Sequence, residues 1–143
     1  LIARTDARSV EGFDASVERS LRYLEAGADA VFPEAMESAE EFAEFAARVD
    51  AILLANMTEF GKSPYISVAD FETMGYEMVI FPMTAFRVMM KAVEELFRDL
   101  RTTGTQSDWL SRMQTRKELY ALLRYDEYTN VDAELSQGLA ADP

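Results

Sequence analysis

Short apolar runs recur along the first part of the chain, and a polar or charged residue follows each of them. The runs cover residues 1–3, 30–33, 51–55 and 78–82. A continuous apolar run of this length is typical of a parallel strand that is buried on both faces. The intervals between the runs carry helical apolar spacing. The alternation predicts βα units around a parallel sheet.

Each interval also carries signals for the start or end of a helix. We predict a helix capped by Asp14 and closed by Gly27, one opened by a capping box at Ser38, one from Ser67 to Gly75, and one from about Ala85 to Arg101. The last of these carries an apolar stripe that is too wide for a helix packed on one side only.

The pattern changes after Gly104, which ends the long helix. Short helical pieces follow, one of them capped by Thr115, and a tyrosine-rich stretch leads to a weakly apolar tail from about Val131. We therefore divide the chain into four βα units over residues 1–104 and a helical extension over residues 105–143. Whether the tail is ordered or packs on a neighbouring subunit stays open at this stage.

Four βα units amount to half of a (β/α)8 barrel, and a small doubly wound sheet is the competing architecture. No Gly-rich phosphate-binding turn follows any of the apolar runs, which disfavours the doubly wound sheet. The chain opens inside an apolar run and does not begin with methionine. We therefore expect an α/β chain that forms the carboxyl-terminal half of a TIM barrel, together with its helical extension.

Composition narrows the possible functions. The net charge of −12 argues against nucleic acid as a partner. The sequence has no cysteine and no histidine, so any chemistry must use carboxylates, arginines, amides and hydroxyls. No apolar stretch approaches the roughly 20 residues of a membrane span, and no targeting segment is visible. We expect a cytoplasmic protein without a membrane partner.

The polar residues at the strand ends are the candidate site, because β/α barrels place their chemistry at the carboxyl ends of the strands. Arg4 could hold a substrate carboxylate, or it could form a structural bridge to Asp6 or Glu34. Glu34 could serve the site or simply pair with Arg4. Asn56 and Thr58 lie two residues apart, so their side chains can share one face, although both also suit a turn.

Two further arginines occupy unfavourable positions. Arg87 lies in the first turn of the long helix, and Arg116 follows a helix cap. A cation at a helix amino terminus opposes the helix dipole, so a bound anion or a nearby carboxylate should compensate it. For Arg87 both alternatives remain open. We interpret the acidic cluster Glu40, Glu41 and Glu44 as a solvated helix face.

A family resemblance runs through the chain from Leu1 to about Tyr128. It rests on residues 3–7, on residues 26–29 with 32–34, and on residues 55–61. These segments resemble the isocitrate lyase/phosphoenolpyruvate mutase superfamily. Residues 56–61, 82–87 and 113–120 resemble its methylisocitrate lyase branch more specifically.

The resemblance implies a (β/α)8 barrel that cleaves 2-methylisocitrate to pyruvate and succinate in propionate catabolism, with Mg²⁺ as cofactor. It also implies a homotetramer that exchanges carboxyl-terminal helices between subunits. The substrate contacts that the resemblance carries over are Arg4, Glu34, Asn56, Met57, Thr58, Arg87 and Arg116.

The sequence also departs from the family pattern. The family's acid/base is a cysteine in a conserved loop, and its main metal-binding aspartates lie on earlier strands. Neither is present here, so we expect both upstream of Leu1 and expect the chain alone to be inactive. The alternatives are a lyase or hydrolase acting on isocitrate, dimethylmalate or oxaloacetate, or a non-catalytic assembly fragment.

Overall fold

The first part of the chain forms a four-stranded parallel sheet with helices packed against it. The computed structural model describes the backbone of residues 1–140 and the side chains of residues 1–136. The strands are β1 (Ile2–Thr5), β2 (Ala30–Pro33), β3 (Ile52–Asn56) and β4 (Met78–Ile80). They lie in the order β1-β2-β3-β4, and each pair of neighbours is parallel. The four predicted strands are confirmed.

The helices between the strands match the predicted positions with two corrections. They are α1 (Ala7–Glu11), α2 (Phe13–Glu25), α3 (Ala39–Arg48), α4 (Val68–Met74) and, after β4, α5 (Thr84–Thr103). The Asp14 cap is wrong, because α2 begins at Phe13 with Gly12 as its N-cap. Gly12 has a φ of 100°, which lets the chain turn between α1 and α2.

The second correction concerns the start of α3. Ser38 caps this helix as predicted, since its side chain accepts a hydrogen bond from the Glu41 N–H. The Glu41 carboxylate, however, accepts from the Glu37 N–H rather than from the N–H of Ser38, so it closes the turn one residue earlier. The start of α4 at Ser67 and its end at left-handed Gly75 are confirmed.

One face of the sheet packs against the helices and forms the core. Val31, Leu53 and Ala55 point to this face and are 0 to 1% exposed. Helices α2, α3 and α4 supply the side chains that cover it, among them Val17, Phe42, Phe45 and Phe71. The rings of Phe42, Phe71 and Tyr76 meet edge to face, with centroids 5.0 to 5.7 Å apart.

The opposite face of the sheet is apolar, and it is uncovered at three isoleucines, although Ala30 and Leu54 on the same face are buried. The register aligns Ile2 with Ala30 and Ala30 with Ile52, and it aligns Asn56 with Ile80. Residues in register on parallel strands point to the same face. Ile2, Ile52 and Ile80 are 48%, 47% and 37% exposed. A parallel sheet is ordinarily covered on both faces, so this open face is unusual.

The chain divides into two compact units, of which the first is Leu1–Lys91 and the second begins at Ala92, within α5. Besides the end of α5, the second unit contains a 3-10 helix (Ser107–Arg112), α6 (Arg116–Leu122) and α7 (Tyr125–Ala140). The capping box that Thr115 forms with Glu118 is confirmed. Helix α7 continues through the segment from Val131 that the sequence left undecided.

The single tryptophan anchors part of this second unit. Trp109 is buried, and its indole N–H donates to Asp99 Oδ2 at 2.8 Å. The Arg112 guanidinium lies 4.0 Å from the centre of the Trp109 ring. Across the described part of the chain, no helix is long and apolar enough to cross a membrane.

Candidate active site

Arg4 and Glu34 meet at the carboxyl ends of β1 and β2. Arg4 extends from the open face of the sheet, in register with Phe32, and its guanidinium lies 5.1 Å from the centre of that ring. Glu34 follows β2 directly, and its backbone N–H donates to the Thr5 carbonyl at 3.0 Å. Arg4 Nη2 then lies 3.6 Å from Glu34 Oε2. The two predicted residues are therefore brought together.

Arg4 also pairs with a carboxylate from its own strand end. Its Nε and Nη2 donate to the two oxygens of Asp6 at 3.0 and 2.9 Å. These bonds from Arg4 hold the pKa of Asp6 below its ordinary value. The sequence left open a structural bridge to Asp6 or Glu34, and the structure contains both. The Arg4 side chain is still 53% exposed, so one side of it remains accessible to a ligand.

Asn56, the last residue of β3, completes this group. Its Nδ2 donates to Glu34 Oε2 at 3.3 Å, so one carboxylate oxygen faces both Arg4 and Asn56. The other amide atom of Asn56, Oδ1, is buried and has no hydrogen-bond partner among the described residues. A buried acceptor without a partner is costly. The geometry therefore offers an acceptor to a hydroxyl group of a ligand or to a water.

A cavity of about 190 Å³ lies beside this group. Glu34, Asn56 and Thr58 line it together with the loop residues Ser9, Ala35, Glu37, Gly61, Lys62 and Ser63. The loops after β2 and β3 contact each other at this cavity. Lys62 Nζ lies 3.0 Å from Glu37 Oε1, and the Ser63 hydroxyl donates to the Met36 carbonyl. Lys62 is a cation at the cavity that the sequence analysis did not select.

Two non-glycine residues in these loops adopt left-handed backbone conformations. Ala35 has a φ of 67° and Phe60 a φ of 63°. Such conformations cost roughly 1 kcal/mol or more for an L-residue, and they cluster at functional sites. Ala35 follows Glu34 in the loop after β2, and Phe60 lies two residues after Thr58 in the loop after β3. The strain thus falls on the two loops that position the candidate residues.

Arg87 belongs to a second polar group, built on the first turn of α5. Its Nε lies 3.4 Å from Glu59 Oε2, and the Thr84 hydroxyl donates to Glu59 Oε1. The bond from Thr84 is the main reason that the pKa of Glu59 lies below its ordinary value. The carboxylate that compensates Arg87 is therefore Glu59, which sequence reasoning did not select. The unfavourable helix position of Arg87 was the signal that such a partner should exist.

Thr58 links the two polar groups. It lines the cavity beside Asn56 and also a second, more apolar cavity of about 200 Å³. Met57, Glu59 and Thr84 line the second cavity with it. Met57 is 4% exposed and belongs to the core, and its N–H donates to the Ile80 carbonyl. Any contact of Met57 with a ligand is thus limited to its carbonyl or to the part of its side chain at the cavity.

The last predicted site residue, Arg116, lies in the second unit. It is the first residue of α6, directly after the Thr115 cap, and its side chain is exposed. Its role as a substrate contact stays a prediction.

Comparison with known proteins identifies the family. The sequence profile described as phosphoenolpyruvate phosphomutase matches residues 1–101. The chain belongs to this family. A 2-methylisocitrate lyase from Aeropyrum pernix is 56% identical to it over 137 residues, which is 96% of this chain and 44% of the relative. The chain is thus a homologue of the 2-methylisocitrate lyases, and it spans about half the length of the curated relatives it matches.

Solved structures of the family share the fold. A 2,3-dimethylmalate lyase of the phosphoenolpyruvate mutase/isocitrate lyase superfamily superposes with a TM-score of 0.83 at 33% identity, over 94% of this chain and 47% of that one. A phosphonopyruvate hydrolase in complex with oxalate and Mg²⁺ superposes with a TM-score of 0.75 at 26% identity, over 92% of this chain and 47% of that one. The four parallel strands therefore correspond to about half of a superfamily chain.

The solved structure of phosphonopyruvate hydrolase contains Mg²⁺. Among the described residues, no three Asp, Glu, His or Cys side chains are grouped so that they could hold a metal ion. Glu34, the predicted site carboxylate that lines the cavity, already faces Arg4 and Asn56. The described residues thus do not form a complete Mg²⁺ site.

Proposed function

We propose that this chain is the carboxyl-terminal half of a (β/α)8-barrel lyase that cleaves 2-methylisocitrate to pyruvate and succinate. Its part in the reaction is to bind the substrate carboxylates. The relative at 56% identity carries the name 2-methylisocitrate lyase, which supports the substrate. The uncovered apolar face of the sheet supports the barrel, because the inner face of a barrel sheet is filled by side chains from the other strands.

The observation that carries the proposal is the shared contact of Arg4, Glu34 and Asn56 at adjacent strand ends. Arg4 offers a charged planar donor, and the buried Asn56 Oδ1 offers an acceptor that lacks a partner. A tricarboxylic hydroxy acid presents both groups to match: carboxylates for the arginine and a hydroxyl for the amide oxygen. The cavity lined by Glu34, Asn56 and Thr58 lies beside them.

The proposed chemistry makes use of fixed positive charge. Cleavage of the carbon–carbon bond leaves negative charge on the departing enediolate, and preorganised cations lower that barrier. We assign Arg4 to the side that forms pyruvate. Arg87 and Arg116 hold the carboxylates that remain ionised throughout the reaction.

Other groups of the reaction lie outside this chain in the proposal. The sequence has no cysteine to serve as the family's acid/base, and the described residues form no complete metal site. The phosphonopyruvate hydrolase relative binds Mg²⁺. We propose that Mg²⁺ is also the cofactor of this lyase, with its principal ligands upstream of Leu1, and that the isolated chain does not turn over substrate.

The proposed assembly is a cytoplasmic homotetramer in which the helical extension, residues 105–143, is exchanged between subunits. The second unit exposes several large apolar side chains that such an exchange would cover: Leu110, Leu122, Leu123, Tyr128, Val131 and Leu135.

A second candidate is another lyase of the superfamily, with 2,3-dimethylmalate as substrate. The superposition on 2,3-dimethylmalate lyase favours it, at a TM-score of 0.83. The two candidates share the fold and the carboxylate-binding groups. They differ in the substrate that is cleaved, so one assay separates them.

The test is a chimera in which this chain replaces the matched 137 residues of the Aeropyrum pernix lyase. Product release is measured with the parent enzyme as positive control: pyruvate from 2-methylisocitrate and from 2,3-dimethylmalate, glyoxylate from isocitrate, and oxalate from oxaloacetate. We expect cleavage of 2-methylisocitrate by the chimera, none by the isolated chain, and a loss in kcat/KM of about 100-fold or more for Arg87→Ala. A folded chimera that prefers another substrate, or an Arg87→Ala variant with normal kinetics, contradicts the assignment.

A further inference from the structure

We propose that Glu59 is a positioning residue that orients the Arg87 guanidinium toward a substrate carboxylate. The inference rests on the proposed function for its catalytic consequence. Its structural part, the pairing of Glu59 with Arg87 Nε, can be tested without any substrate.

The two oxygens of Glu59 have different partners. Oε1 accepts a hydrogen bond from the Thr84 hydroxyl, and Oε2 lies 3.4 Å from Arg87 Nε. Oε2 is buried and has no hydrogen-bond partner within the described residues, so the nearby cation is what offsets its charge. The Glu59 side chain is 24% exposed and that of Arg87 is 40% exposed. The carboxylate is thus the more buried and more firmly placed member of the pair.

Thr84 fixes the carboxylate relative to the helix that carries the arginine. Thr84 and Arg87 lie three residues apart in the first turn of α5, so they share one side of the helix. Glu59 comes from the loop after β3 and bridges both. A shift of that loop therefore moves the guanidinium, which couples the position of Arg87 to Asn56 and Thr58 in the same segment.

The aromatic ring of Phe60 constrains the guanidinium from a second direction. The Arg87 guanidinium carbon lies 5.1 Å from the ring centre, and Phe60 holds a left-handed backbone conformation. With Nε facing Glu59 and one face against Phe60, the end of the guanidinium with Nη1 and Nη2 is left to meet a carboxylate. This end-on geometry suits a bidentate contact.

The direction in which substrate binding changes when Glu59 is neutralised distinguishes a positioning role from a purely electrostatic one. Glu59 carries a negative charge close to a site for anions, so neutralising it should strengthen anion binding if charge alone matters. If Glu59 orients Arg87, its neutralisation should weaken substrate binding in spite of the gain in local positive charge. The variant Glu59→Gln keeps the size of the side chain and an acceptor for Thr84. It therefore isolates the interaction with Arg87.

The first experiment records the Nε–Hε signal of Arg87 in ¹⁵N-labelled chain by NMR, and Arg87→Lys identifies the signal by removing it. The readout is the heteronuclear NOE of this signal, which reports how ordered the guanidinium is. We expect a high NOE in the original chain and a lower one in Glu59→Gln, because the carboxylate no longer holds the guanidinium in place. The matched control is Glu72→Gln on α4, which removes the same charge from an exposed position. An Arg87 signal that is unchanged in Glu59→Gln, with Glu72→Gln as reference, overturns the proposal.

A second variant covers the case in which Glu59→Gln does not fold. Thr84→Val removes the hydroxyl that anchors Glu59 and leaves both charges in place. It should lower the heteronuclear NOE of the Arg87 signal only in part, because the ion pair survives in a looser geometry. An unchanged NOE in Thr84→Val shows that the anchor is not needed and contradicts that step of the proposal.

The catalytic consequence is measured in the chimera with the Aeropyrum pernix lyase. Glu59→Gln should raise KM for 2-methylisocitrate by roughly tenfold with a smaller change in kcat, because misplacing a binding group mainly weakens substrate contact. Glu72→Gln should leave both constants unchanged. A lower KM in Glu59→Gln identifies Glu59 as a charge that merely opposes substrate. An inactive chimera refutes the proposed function, while the NMR result still decides the pairing.

Discussion

The pairing of Arg8 with Glu41 gives a quantitative prediction for the stability of the first unit. Arg8, on α1, donates from Nε and Nη2 to the Glu41 carboxylate of α3 at distances of 2.7 to 3.1 Å. The two side chains are 18% and 24% exposed. Glu41 Oε2 also accepts from the Glu37 N–H at 2.8 Å. These contacts hold the segment after Glu34, so they stabilise the loop beside the candidate site.

The expected cost of Glu41→Gln follows from these contacts. Hydrogen bonds to charged groups contribute about 1.5–3 kcal/mol, and the glutamine keeps one oxygen for a single acceptor role. Glu37 Oε2 lies 3.3 Å from Arg8 Nη2 and continues to compensate the arginine. We therefore expect Glu41→Gln to lower the free energy of unfolding by about 1.5 kcal/mol, the lower end of that range.

The assay is urea unfolding followed by far-ultraviolet circular dichroism near neutral pH. The matched control is Glu40→Gln, at the exposed neighbouring position on α3, which should change the free energy of unfolding by less than about 0.5 kcal/mol. The fluorescence of Trp109, the single tryptophan, reports separately on the second unit. A Glu41→Gln chain as stable as Glu40→Gln would refute the argument.

Acid provides an independent check of the same pair. The hydrogen bonds from Arg8 are the main reason that the pKa of Glu41 lies below its ordinary value. A carboxyl group whose pKa is lowered by folding stabilises the protein at pH values above the ordinary glutamate pKa. This stabilisation is lost as the pH falls through the lowered pKa. The difference between the original chain and Glu41→Gln should therefore shrink in acid. A difference that stays constant from neutral pH into that acidic range contradicts the assigned cause.

Two further predictions concern the core and a helix end. Tyr76→Phe removes the hydroxyl that donates to the Phe42 carbonyl at 3.2 Å, and urea unfolding should show a loss of about 1 kcal/mol. Burial raises the pKa of Tyr76, so the original chain should lose stability above about pH 10 as the unfolded tyrosine ionises, and Tyr76→Phe should lack that part of the loss. Gly75→Ala forces an L-residue to a φ of 98° and should cost about 1–2 kcal/mol in the same assay, whereas unchanged stability would contradict the strain argument.

The sheet could be predicted from the sequence because its strands are short, continuous apolar runs. Residues such as Val31, Leu53 and Ala55 are buried by helices, so they carry the signal directly. The predicted start of α2 was wrong. Aspartate is a common N-cap residue, which favoured Asp14, whereas the chain turns at Gly12 after the short helix α1. A five-residue helix such as α1 has too little apolar periodicity to be recognised.

The candidate site was predictable in its residue types but not in its pairings. Arg4 lies near the end of β1 and Glu34 follows β2, so their convergence follows from parallel topology. The pairing of Arg87 with Glu59 depends on where the loop after β3 meets α5, which sequence spacing does not determine. Glu41 was interpreted as solvated, and this was wrong because Arg8 approaches it from α1, 33 positions earlier in the chain.

The uncovered sheet face has a consequence for how the isolated chain behaves at high concentration. Ile2, Ile52 and Ile80 present an apolar surface next to the free edges of β1 and β4, a combination that favours edge-to-edge association. The net charge of −12 opposes such contacts by repulsion between molecules. Salt screens that repulsion, and acid removes the charge. Colloidal stability of the chain thus depends on its surface carboxylates remaining ionised.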